Sequence, residues 1–288
     1  MTAPLFMRCN ERLAALSWGE TEAPTWLALH GWLDNAASFT RLAPRLASQL
    51  QVRIVAIDFA GHGLSNWFPP NIDYAVWDYC HDVLDTLEAL KLERCALMGH
   101  SLGAGVATLM AAAMPERVSR LVLIDGLGAL ATEAKDTARQ LRQGLIGQRR
   151  RSKGVPSYTD MDSAIAARVK GGVTPIDADT ARPLVERNAE MLEDGGVRPR
   201  TDSRLLRPSP VRFCPEQVLA LLSAIQAPTL LVEASHGVLT HRDAAKAARE
   251  AIPGLTRRVL EGGHHLHLEV GVVDQVADVI ATWWRKQG

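Results

Sequence analysis

The stretch that most constrains this chain is Gly99-His100-Ser101-Leu102-Gly103. An apolar run, Cys95–Met98, leads into it, and an Ala-rich helical pattern starts at Leu102. Gly-x-Ser-x-Gly in that setting describes a strand, a very sharp turn and a helix, with serine at the apex. The apex residue takes a strained backbone conformation, and the flanking glycines let strand and helix approach without Cβ clashes. Helix N-terminal amides then face any oxygen on which negative charge develops. With 22 Gly and 13 Ser in 288 residues, random order gives roughly 0.07 such matches, so the flanking strand and helix signals decide the assignment. A dinucleotide loop is a poorer fit, because Gly99, Gly103 and Gly105 do not match G-x-G-x-x-G.

Strand-like and helix-like segments alternate on both sides of this turn. Strands are expected at Arg12–Trp18, Trp26–Leu29, Val52–Asp58, Ala96–Met98, Val118–Ile124, Thr229–Val232 and Arg257–Leu260. Helices are expected at Ser38–Leu50, Tyr74–Leu92, Leu102–Met114, His241–Ile252 and Val270–Arg285. Such alternation implies a mostly parallel sheet covered on both faces. Residues 127–222 break the rhythm with glycine pairs, the Pro-rich Arg207-Pro208-Ser209-Pro210, and 16 Lys/Arg against 12 Asp/Glu. This composition shift reads as an insertion, with short helices at Met161–Lys170 and Asp179–Leu192, into a core of residues 1–126 and 223–288. Its basic run, Arg149-Arg150-Arg151-Ser152-Lys153, reads as a solvated face and not a phosphate site.

The 32 basic and 32 acidic residues argue against a dedicated nucleic-acid or polybasic membrane partner. No run of 18 apolar residues exists, and Met1–Arg8 lacks the apolar stretch of a signal peptide. Cys9, Cys80, Cys95 and Cys214 are scattered, without metal-ligand spacing. A cytoplasmic, reduced protein acting on a small molecule is expected, with the oligomeric state left open.

Three further segments fall at strand ends, where open α/β sheets bind ligands. His30-Gly31-Trp32 can offer the Trp32 N–H to an oxyanion beside that of Leu102. Asp58-Phe59-Ala60-Gly61-His62-Gly63-Leu64-Ser65 reads as a tight loop that Asp58 and His62 shape. In Gly262-Gly263-His264-His265-Leu266-His267-Leu268-Glu269, His264 directly follows the turn glycines and can serve Ser101 as general base. No carboxylate or cysteine set with ligand spacing accompanies the three histidines, so no metal is expected.

Together the serine turn, the His-Gly turn, the Asp-x-x-Gly-x-Gly-x-Ser loop and the late Gly-His-x-x-x-x-Glu resemble the α/β-hydrolase superfamily, in its order and over nearly the whole chain. Leu123–Gly128 and Arg204–Pro228 look closest to its serine-hydrolase-like subgroup. The resemblance implies an eight-stranded, mostly parallel sheet, with 127–222 as a helical cap. It also implies that Ser101 attacks an acyl carbonyl, and that no cofactor is needed. One departure stands out. Where related sequences commonly carry an acid after the seventh strand, this chain has His236 or Gly237. Asp125, at the end of strand six, is the expected substitute, with Glu233 as the alternative. Trp32, His100, Trp67 and Phe68 are expected to line an apolar substrate pocket. Two rivals to ester hydrolysis are carbon–carbon bond hydrolysis of a diketone-like substrate and ligand binding without turnover.

Overall fold

The computed structural model describes residues 3–150, 156–172, 174–240 and 244–287. Its centre is an eight-stranded sheet. The strands are β1 (Leu5–Arg8), β2 (Ala14–Trp18), β3 (Thr25–Leu29), β4 (Arg53–Ile57), β5 (Cys95–His100) and β6 (Val118–Ile124). A two-stranded hairpin, β7 (Ala189–Met191) with β8 (Val197–Pro199), stands apart, and β9 (Thr229–His236) and β10 (Thr256–Gly263) complete the sheet. The spatial order is β1-β2-β4-β3-β5-β6-β9-β10. Only β2 runs against the others, pairing antiparallel with both β1 and β4. The central strands read as almost uninterrupted apolar runs because both faces are covered.

On one face lie α2 (Asp78–Ala89), α3 (Leu102–Ala113), α7 (Pro215–Ser223) and α8 (Ala244–Ala251), whose Val83, Leu87, Val106 and Leu222 pack on Leu27, Leu97 and Leu123. On the other lie α1 (Leu42–Leu50) and α9 (Val273–Arg285). There Val276, Ile280 and Trp283, spaced for one helix face, meet Ala28, Met98 and Val122. Among the described residues no helix is long and apolar enough to cross a membrane.

Between β6 and β9 the chain adds α4 (Thr137–Arg149), α5 (Met161–Gly171), α6 (Ala178–Asn188) and the β7–β8 hairpin. Of the basic run, Arg151, Ser152 and Lys153 lie outside the described residues, as do His241 and the start of its helix. Helix α7 packs against α3 through Val218 and Leu222, which belong to the core. The boundary expected at 222/223 therefore cuts through a core helix. Two ion pairs with buried carboxylates seat the added segment against the loops after β3 and β4. Arg187 on α6 grips both carboxylate oxygens of Asp58, and Arg168 on α5 reaches Asp34 at 3.1 Å.

Candidate active site

Ser101 stands between β5 and α3 with φ 51° and ψ −111°, a conformation a non-glycine residue keeps only when its surroundings impose it. The surroundings are tight. A Cβ at Gly99 would lie 2.4 Å from the Gly103 carbonyl, and one at Gly103 would lie 2.0 Å from the Leu29 carbonyl. These two glycines allow α3 to start directly against the end of β3, where the Gly103 N–H donates to the His30 carbonyl. Ser101 is partly exposed and its hydroxyl bonds no other described residue.

Asp125 follows β6 directly and is fully buried, with φ 38°. Its Oδ2 lies 2.6 Å from His264 Nδ1 and accepts the Val238 N–H at 2.9 Å, while Oδ1 accepts the Ala234 N–H at 3.3 Å. A carboxylate so held fixes the imidazole tautomer with its proton on Nδ1, leaving Nε2 free as a base. His264 sits on the turn after Gly263, whose N–H is held by both oxygens of Glu269. Glu233, the alternative acid, is buried and engaged elsewhere. Arg249 and Arg257 both clamp its carboxylate.

The amides of Trp32 and Leu102 have no acceptor among the described residues, as donors awaiting an oxyanion require. The Trp32 indole instead donates to the Leu205 carbonyl at 3.1 Å, tying this loop to the added segment.

The other expected pocket residues are placed differently. His100 is fully buried: its ring packs on His264, His265 and His267, and its Nε2 meets the His264 carbonyl at 2.9 Å. It backs the site from beneath the turn after β10. Trp67 is 53 % exposed and donates to the Arg200 carbonyl. It lines an open cleft of about 830 Å³ with Phe6, Arg8 and Arg198, and neither Ser101 nor His264 borders that cleft. Phe68 stacks on Tyr74 at 4.8 Å. Within the loop carrying both, the Asp58 carboxylate accepts the Leu64 N–H and the Asp58 carbonyl accepts the Ser65 hydroxyl.

The sequence did not mark Asp34. Its carboxylate is buried between Arg168 and His265, with His265 Nε2 at 3.0 Å. An acidic residue three positions after a His-Gly turn was the available signal. Burial by itself would raise its pKa, but His265 and Arg168 hold it well below the ordinary carboxylate value.

A family model for the alpha/beta hydrolase fold matches residues 24–270. The chain belongs to the α/β-hydrolase family. A serine hydrolase-like protein of Dictyostelium discoideum is 33 % identical over 269 residues, covering 89 % of this α/β-hydrolase and 74 % of the relative. A serine hydrolase-like protein of Danio rerio is 32 % identical, covering 93 % and 86 %. The crystal structure of a hypothetical protein from Pseudomonas aeruginosa PAO1 superposes with a TM-score of 0.89 at 40 % identity, covering 99 % of this α/β-hydrolase and all of that chain.

Proposed function

We propose that this α/β-hydrolase is a serine-dependent carboxylic-ester hydrolase acting on small or medium apolar esters. The observation that carries this reading is the 2.6 Å contact between Asp125 and His264, at the sheet end where the strained Ser101 turn stands. Ser101 Oγ attacks the acyl carbonyl as His264 Nε2 takes its proton, and the tetrahedral oxyanion is held by the Trp32 and Leu102 amides. Collapse of that intermediate expels the alcohol, which receives the proton from His264. Water then attacks the acyl-enzyme by the same route in reverse roles, releasing the acid. Asp125 orients the ring and stabilises the imidazolium. A serine at the turn favours this acyl chemistry.

Residues 127–222 act as a cap in this reading, anchored by Arg168 and Arg187 and supplying the walls that choose the acyl group. An ester panel of increasing acyl length, assayed beside a vinylogous diketone, tests the proposal. Ester turnover lost in Ser101→Ala is the expected result. Cleavage of the diketone alone would transfer the same three residues to carbon–carbon bond hydrolysis, and turnover of neither would leave a ligand-binding protein.

A further inference from the structure

Among the described residues His100 makes one hydrogen bond, from Nε2 to the His264 carbonyl. A carbonyl accepts only, so Nε2 carries the ring proton and Nδ1 presents a lone pair. That Nδ1 is buried and without a partner among the described residues, and it faces Asp34 Oδ2 across 3.8 Å. Two electron-rich atoms thus confront each other away from water, an arrangement that costs free energy unless something positive lies between them. A second proton on the ring would place a charge in a fully buried site. His265 Nε2 reaches the same carboxylate oxygen, and the three donor atoms all lie within 4.8 Å of one another.

We propose that Asp34, His100 and His265 bind a divalent transition-metal ion of the zinc class. Two imidazole nitrogens and one carboxylate oxygen match Zn²⁺, Co²⁺ or Ni²⁺ in preference to Mg²⁺ or Ca²⁺. Tetrahedral Zn²⁺ with ligand bonds of roughly 2.0–2.1 Å separates its donors by about 3.4 Å. The 3.0 and 3.8 Å separations from Asp34 Oδ2 bracket that spacing, and the two imidazole nitrogens, within 4.8 Å of each other, draw in when the ion binds. The surrounding bonds suit ligation as well. His100 donates its other ring N–H to a backbone carbonyl, and the remaining Asp34 oxygen is held by Arg168, the outer support that metal ligands usually have. His265 Nδ1 has no partner either. Moving its proton from Nε2 to Nδ1 frees Nε2 for the ion without releasing the proton. The gap is kept open by Gly31, where a Cβ would lie 2.9 Å from His100 Nδ1 and 3.1 Å from Asp34 Oδ2. The ligands come from the loop after β3, the end of β5 and the turn after β10, so the ion staples three segments. Spacing along the chain conceals this set, since Asp34 and His265 are 231 positions apart.

Co²⁺ titration of chelator-stripped protein, followed by visible d–d absorption, tests the site. Zn²⁺-dependent melting temperature provides a second readout independent of turnover. One tetrahedral Co²⁺ per chain and a raised melting temperature are expected in wild type. The same is expected in His236→Ala, which removes the exposed His236–Glu261 pair that could bind metal adventitiously. Asp34→Asn should weaken binding at least about tenfold. Gly31→Ala, which fills the gap and keeps every ligand, should do likewise. Absence of Co²⁺ binding to wild type up to about 1 mM, the weak end of specific affinities, would overturn the proposal. So would a spectrum that persists in Asp34→Asn and Gly31→Ala, or one lost only in His236→Ala. If Asp34→Asn loses its near-UV circular dichroism, the wild-type titration and Gly31→Ala still decide.

Discussion

Gly237 lies directly against the carboxylate of Asp125: a Cβ at position 237 would sit 2.2 Å from Asp125 Oδ2. In the loop after β9, the space beside Gly237 is filled by this carboxylate from the end of β6. Acid and glycine form a complementary pair. Gly237→Ala should therefore push Asp125 off His264 while leaving Ser101 untouched. A fall in kcat of about 10²-fold with little change in KM is expected, since misplacement by an ångström has that cost. Steady-state kinetics on an activated ester, with the melting temperature as a control for folding, checks it.

Replacing the carboxylate itself separates the two acids. Asp125→Asn should lower kcat by roughly 10²–10⁴ with KM nearly constant, as expected for an interaction realised in the transition state. Glu233→Gln should leave kcat within about tenfold of wild type. Its cost should be about 1–3 kcal/mol of stability, because Arg249 and Arg257 lose a buried charged partner. Denaturant unfolding beside kinetics reads both, and a reversed ranking would make Glu233 the acid.

Acid should destabilise the fold through two buried histidines. His30 Nε2 accepts the Phe59 N–H, so its neutral form is built into the structure. Burial holds its pKa down at about 4, and that of His62 at about 3, from an ordinary 6.5. In the unfolded chain both take up protons as pH falls below 6.5, while the folded chain resists. Their stabilisation is complete above pH 6.5 and declines as pH falls toward 4 and then 3. For His30 alone the loss is about 3 kcal/mol. Urea unfolding between pH 7 and 4.5 should show stability falling with pH, and His30→Gln should flatten the slope if the variant folds. A pH-independent midpoint would contradict this.

The Arg187–Asp58 pair offers a test of how the segment after β6 is seated. Both side chains are buried, and removing one partner of such a pair typically costs about 3–5 kcal/mol. Arg187→Met should speed hydrogen exchange in α6 and leave β5 and α3 protected. Uniform loss of protection would mean that the segment and the sheet unfold as one unit.

The sheet was legible where burial leaves a periodic or continuous apolar signal. Val118–Ile124 forms β6 with the bounds read from sequence, and every expected core strand is present within a few residues. Strand β1 was missed because Leu5, Phe6 and Arg8 lie on an exposed edge without alternation. Strand β7 falls in the tail of the helix expected through Leu192, and β8 carries no signal of its own, since three-residue strands have no period. At the site, local chemistry was readable: the Ser101 turn, His264 after its glycines, and Asp125 closing a strand. Contacts between distant segments were not. Nothing in the spacing brings Asp34 to His265 or Arg187 to Asp58, and the apolar character of Trp67 could not show that it lines a cleft with Arg8 and Arg198.

The central claim is that Ser101 is the one serine activated for acyl transfer, and a fluorophosphonate probe with intact-mass readout tests it most directly. One adduct per chain is expected on wild type, mapped to the peptide containing Ser101, and none on a folded Ser101→Ala variant. Labelling of Ser101→Ala at full stoichiometry, or no adduct on wild type, would contradict the account.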